Sequence, residues 1–175
     1  MIGTFNKEAQ DEVWGDDPNA LCAASLAPHG KLETKNGKYV ASGTWSFVPG
    51  IDHASWLLAG GVIQEADQTR TVYFLVPKSE ARLVDDNQVT GLAGTGSRSF
   101  VLDGALVPPH RVLDEKHHRD GTGPGVSVNP EPTYKFPRDG ASIALACVAL
   151  GTADAMAEMP TTLSPMSRLS YGKVA

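Results

Sequence analysis

LETKNGKYVASGTWSF, residues 32–47, decides the class of fold. Asn36-Gly37 is a pair that tolerates positive φ, as a type I′ turn demands, and it sits between two strand-like runs. Downstream, Tyr39, Ala41, Trp45 and Phe47 alternate with Val40, Ser42, Thr44 and Ser46. A period of two places the first set on one face and the second on the other. Leu32 to Lys35 is therefore expected to pair back antiparallel on this strand as a hairpin.

Outward from the hairpin, apolar runs at Ser55 to Ile63, Thr71 to Val76 and Arg98 to Val107 are bounded by Gly, Pro, Asp and Asn. That is strand spacing for an antiparallel barrel or sandwich, and no crossover helix separates the runs. The 18 glycines and 12 prolines among 175 residues favour tight turns and short strands in the same way. Toward the N-terminus, Phe5, Ala9 and Val13 recur at helical spacing within Thr4 to Trp14, and Gly15 follows as a stop. Residues 114–138 lose periodicity and gather glycines and prolines, the composition of a linker or long surface loop. After Asp139, which suits an N-cap, Ile143, Ala146, Cys147 and Leu150 return to helical spacing until Pro160.

Composition narrows the functional classes. A formal charge of -5 gains nothing on a phosphate backbone, so no nucleic-acid partner is expected. The longest apolar run, Ile143 to Gly151, is far short of the ~20 residues of a membrane span, and residues 1–15 carry acids where a signal peptide is apolar. Cys22 and Cys147 lie far apart, with no second Cys or His at metal spacing, so neither a disulfide framework nor a metal site is indicated. A soluble protein of a reducing, cytoplasmic compartment is the expectation.

Motifs of chemistry are sparse. GLAGTGS at 91–97 has the glycines of a phosphate loop but neither the Lys-Ser/Thr nor a following helix, and reads as a turn into the next strand. His110, His117 and His118 with Asp114 and Glu115 read as a solvated loop rather than metal ligands. His29 and His53 each lie beside a turn, where a side chain reaches a cleft from a strand end, and they are the internal candidates for a catalytic base. No nucleophile elbow or paired-Cys redox motif occurs.

Three segments, AASLAPHG at 23–30, SGTWSFVPGIDHASW at 42–56 and GLAGTGSRSFVLDGALVPPHRVL at 91–113, resemble the middle β domain of the acyl-CoA dehydrogenase fold. With TFNKEAQDEVWGDDP at 4–18, they are similar to the oxygenase components of two-component flavin-dependent monooxygenases of the p-hydroxyphenylacetate hydroxylase kind. The resemblance covers about residues 1–158 and implies an α+β chain: a helical remnant at 1–20, an antiparallel β-barrel at 21–113, a linker at 114–138, and the start of a truncated helical domain at 139–175. It implies hydroxylation of a small aromatic or phenolic substrate with O2 and reduced FMN or FAD delivered by a separate flavin reductase. A homotetramer is implied for the full-length form.

By the same resemblance, Ser25, Leu26 and Ala27 line the flavin, and Phe47, Val48 and Pro49 lie against its ring. Where many members have Ser-Ser-Gly, this chain has Val48-Pro49-Gly50, which removes a hydroxyl from the flavin's surroundings. The family's catalytic histidine belongs to a C-terminal bundle, so the chain alone is expected to be inactive. Two other readings stay open: an acyl-CoA dehydrogenase proper, whose Thr-Glu-Pro run is replaced here by Leu26-Ala27-Pro28, and a β-barrel binding module without chemistry.

Overall fold

The computed structural model describes residues 1–65, 68–86, 88–135 and 141–158, and the chain divides into two compact units, Met1–Pro137 and Arg138–Ala175. The first begins with a 3-10 turn, Ile2–Thr4, and helix α1, Lys7–Trp14. Asn6 caps α1 by accepting from the Ala9 amide at 2.9 Å. The expected stripe holds: Phe5, Ala9 and Val13 are all buried.

Seven strands follow: β1 Cys22–Lys35, β2 Lys38–Val48, β3 Trp56–Glu65, β4 Gln68–Pro77, β5 Arg82–Val84, β6 Arg98–Val107 and β7 Val112–Asp114. The β1–β2 hairpin forms as read, with Lys35 opposite Lys38 and Thr34 opposite Tyr39. Asn36 (φ 51°) and Gly37 (φ 73°) both occupy the left-handed region.

The strands make one mixed sheet in the order β5-β6-β2-β1-β3-β4-β7, so the expected all-antiparallel pairing does not hold. Among the described residues the sheet is not closed, and β1 pairs parallel with β3. After β2 the chain crosses over β1 and pairs on its far side. A strand antiparallel in sense to β2 must there run parallel to β1. Along this pair β1 advances from Ser25 to Gly30 while β3 advances only from Ala59 to Gly61, so residues 26–29 bulge from the ladder.

The core has two faces. Trp45, Leu57, Phe74 and Phe100 fill one cluster, while Leu58, Tyr73 and Leu75 meet Phe5, Ala9 and Val13 of the N-terminal segment in the other. Because both faces of β3 and β4 are covered, these strands read as continuous apolar runs rather than alternating ones. Trp45 is fully buried, stacked on Phe100 (centroids 4.8 Å, interplanar angle 11°) and edge-on to Phe74 (5.8 Å, 70°). Glycine makes this room: a Cβ on Gly30 would stand 2.3 Å from Trp45 Cζ2; separately, one on Gly60 would stand 2.3 Å from the Leu26 carbonyl oxygen.

Beyond β7 the chain is more ordered than its composition implies. Asp114 caps helix α2, Glu115–Asp120, which Gly121 ends in a left-handed conformation. His118 is buried edge-on to Tyr73, and Asn129 donates to the Gly3 carbonyl and to Gln10 Oε1. A solvated loop is therefore the wrong description of His118.

The second unit contains helix α3, Ala141–Glu158. Its proposed cap Asp139 and stop Pro160 lie outside the described residues. Cys147 and Leu150 on α3 are exposed. Among the described residues no helix is long and apolar enough to cross a membrane.

Candidate functional site

The site is built where β2 stops obeying its own period. Trp45 faces Phe100 of β6, but Val48 faces Arg98, so β2 spends one more residue than its partner across this interval. The extra residue swings Phe47 to φ 56° and Val48 into the core. Phe47, which alternation placed on one face with Trp45, is instead 75% exposed while Trp45 is buried, a correction that follows from the bulge. A phenylalanine at positive φ is a strained arrangement, and such strain collects at binding sites.

The segment before β6 repeats this device. Leu92 stands at φ 59° and is 83% exposed, ahead of a 3-10 turn, Ala93–Thr95. Thr95 Oγ1 bonds the Leu92 carbonyl (2.9 Å) and lies 2.7 Å from Ser97 Oγ. Farther along, Asp86 accepts from both the amide and the hydroxyl of Ser99, and these bonds hold its carboxyl below the ordinary aspartate value. Together Phe47, Pro49, Val89, Leu92, Thr95 and Ser97 line a cleft of about 310 Å³.

Of the residues expected at a flavin, Phe47 and Pro49 are thus brought together with the 91–97 segment, whereas Val48 is buried behind them. Ser25, Leu26 and Ala27 lie at the β1 bulge and are not among the residues lining this cleft. The carbonyls of Leu26 and Ala27 approach Gly60 instead. His29 and His53 are both exposed, on β1 and in the turn after Pro49, and neither lines the cleft. The contribution of Leu92 escaped the reading of 91–97 as a plain turn; its one signal was a large apolar residue inside a glycine-rich run.

The remaining polar clusters serve other ends. His110 stands between Glu8 and Glu12 of α1 (Nδ1 to Oε1 3.3 Å and Nε2 to Oε1 3.0 Å), and Arg111 bonds Glu12 while lying 5.0 Å from the Trp56 ring centroid. Burial by itself raises the Glu12 carboxyl, but the hydrogen bonds from Arg111 and His110 prevail and hold it low. This cluster ties α1 to the sheet, so His110 too departs from the solvated loop expected of it. His117 Nδ1 meets Thr122 Oγ1 at 3.1 Å. A separate apolar cavity of about 450 Å³, lined by Trp14, Leu21, Cys22 and Leu58, carries one thiol, which burial pushes up to about 12 and so keeps protonated.

No family model matches the chain. Against known proteins, it is 37% identical over 176 residues to the flavin-dependent monooxygenase oxygenase subunit HsaA of Mycobacterium tuberculosis (strain CDC 1551 / Oshkosh), a match covering 99% of this chain and 40% of that one. It is 39% identical over 127 residues to the oxygenase component of the FADH(2)-dependent resorcinol hydroxylase of Rhizobium sp. (strain MTP-10005), covering 71% of this chain and 31% of that one. The crystal structure of 3-HSA hydroxylase from Rhodococcus sp. RHA1 superimposes with a TM-score of 0.75 at 38% identity, over 78% of this chain and 36% of that one. The chain spans about two fifths or less of the length of these relatives. It is a homologue, over that share of their length, of the oxygenase components of two-component flavin-dependent monooxygenases.

Proposed function

We propose that this chain is the flavin-holding β portion of an oxygenase component that hydroxylates a small aromatic substrate, using reduced FMN or FAD from a separate reductase. The observation that carries the reading is the pairing of Phe47 and Leu92: two large apolar side chains, both kept exposed at left-handed backbone positions, on one cleft. Such a cleft fits a planar, largely apolar ring, which gains from aromatic and aliphatic walls and a few polar groups. The relatives named above, one of them FADH(2)-dependent, support the same cofactor class.

Reduced flavin, when bound, supplies the electrons by which one atom of O2 enters the aromatic ring while the other leaves as water. Phe47 and Leu92 would pack on the ring. Pro49, having no amide hydrogen and an apolar ring, would exclude water from it. The hydroxyls of Thr95 and Ser97 are the polar side chains at hand for the cofactor's heteroatoms. Ser25, Leu26 and Ala27 would complete the cofactor surface from the β1 bulge. His29 and His53 remain the histidines to test as bases.

In this reading residues 21–113 are the middle domain of an acyl-CoA dehydrogenase-like fold, with the sheet curling toward a barrel. Residues 1–20 and 139–175 belong to flanking helical domains, 114–138 links them, and the full-length form is a cytoplasmic homotetramer. The deciding experiment is an anaerobic titration of the chain with dithionite-reduced FMN and FAD. Saturable binding that Phe47→Ala weakens at least tenfold is expected. Binding that is absent, or indifferent to Phe47, would overturn the reading.

A further inference from the structure

The turn that follows Phe47–Pro49 is held from outside by a residue to which nothing in the sequence drew attention. Lys78 begins the 3-10 turn after β4, and its backbone is fixed there: its amide donates to the Ser55 carbonyl at 2.9 Å, and the preceding Pro77 pairs with Trp56. From this anchored base Nζ reaches back and donates to the carbonyls of Ile51 (3.1 Å) and Asp52 (2.9 Å). Among the described residues no carboxylate lies in ion-pair range of Nζ. The ammonium is committed to two main-chain oxygens of one turn.

That turn is joined to the opposite wall of the cleft. The Gly50 amide donates to the Thr95 carbonyl at 2.9 Å, and the Asp52 carboxylate is bonded by Arg98 at the start of β6. Ile51 is fully buried, which fixes the middle of the turn, while Asp52 and His53 are exposed. The 49–53 turn thus carries Pro49 at one end and braces the 91–97 segment through Gly50 and Asp52.

We propose that Lys78 is a positioning residue of the cleft, holding the 49–53 turn and, through Thr95 and Arg98, the Leu92 segment in the spacing that a flavin ring requires. This rests on the reading of the cleft as the flavin site. Charge-assisted bonds to carbonyls are stronger than neutral ones, and two from one cation restrain both bonded oxygens at once. The Asp52 carbonyl is at the surface, where water replaces the ammonium, whereas the carbonyl of the buried Ile51 loses a charged donor, so some global stability goes with it. Local opening of the turn, which depends on few bonds, is where its loss is felt.

The test uses the full chain with Lys78→Met and Lys78→Arg, beside Phe47→Ala. Three quantities are read: thermal midpoint, amide hydrogen exchange over 47–53 and 91–97, and affinity for dithionite-reduced FMN and FAD. Lys78→Met is expected to lower the midpoint modestly, to speed exchange in both segments several-fold, and to weaken flavin binding about tenfold. Lys78→Arg, which keeps a cationic donor, is expected to restore most of both. Unchanged exchange in Lys78→Met would overturn the proposal whatever the flavin does. Faster exchange with unchanged flavin affinity, while Phe47→Ala loses flavin, would overturn it and leave the cleft reading standing. Flavin binding that is absent, or indifferent to both positions, would bring down the cleft reading and the proposal together. Should Lys78→Met not fold, Lys78→Gln, which keeps one neutral donor, gives the same comparison against Lys78→Arg.

Discussion

The indole of Trp45 donates to the carbonyl of Gly60 at 2.8 Å, joining β2 to β3 across the intervening strand β1 in a region from which water is excluded. The ring has room there because Gly30 and Gly43 have no Cβ, while the bare Gly60 lets the Leu26 carbonyl approach β3. Trp45→Phe keeps most of the packing but orphans a buried carbonyl, and a loss of about 1–3 kcal/mol is expected. Gly60→Ala forces a carbon against the Leu26 carbonyl and is expected to cost more. Urea denaturation of both variants checks the order; a milder effect for Gly60→Ala would contradict it.

The acid limb of stability is expected to involve Glu12. Its carboxyl sits below the ordinary value in the folded chain, so the stabilisation is complete above the usual glutamate range, about 4.3, and is lost as pH falls through the lower folded value. Glu12 is partly solvated, and the tie is worth only about 0.5–1 kcal/mol after screening. Glu12→Gln should therefore lower stability by that amount at neutral pH and converge on the parent as pH falls through the lowered folded value. Parallel denaturation curves over this range would show another group to be responsible.

Phe47 sets stability against binding. Phe47→Gly relieves a left-handed phenylalanine, worth roughly 1–2 kcal/mol, and adds the backbone entropy of glycine to the unfolded chain, about 1 kcal/mol. The two nearly cancel. The denaturation midpoint is expected to hold while reduced-flavin affinity falls at least tenfold; a large stability loss would mean that Phe47 is a packing residue.

Pro49→Ser brings a hydroxyl to the cleft wall. If the wall faces the flavin, the new donor is worth about 1 kcal/mol to oxygen species held there, and less hydrogen peroxide should leak per flavin oxidised. An unchanged peroxide yield would place Pro49 away from the reacting atoms.

The hairpin was legible because Asn36-Gly37 and its flanking alternation are local signals, and the bounds of β6 emerged from its apolar run and flanking turns in the same way. Pairing order is not local. Nothing within β3 announces that it will lie beside β1 rather than β2, so the parallel pair and the open sheet were invisible. Phe47 misled for a related reason: alternation predicts faces only while register is kept, and the single extra residue opposite Arg98 reversed it. The resemblance pointed to Phe47 and Pro49, which share one cleft, while Lys78 bonds main-chain oxygens from another strand end, a contact with no sequence signature.

One feature of the sheet bears on the protein's behaviour in concentrated solution. Its outermost strands, β5 and β7, are each three residues long, beside neighbours of ten. Along part of each margin a stray extended chain meets a short stub, with Arg82 on one and Asp114 on the other. Each stub blocks strand addition over three positions of its neighbour, Val72 to Phe74 on β4 and Ser99 to Val101 on β6, so losing either would lengthen the edge open to another chain.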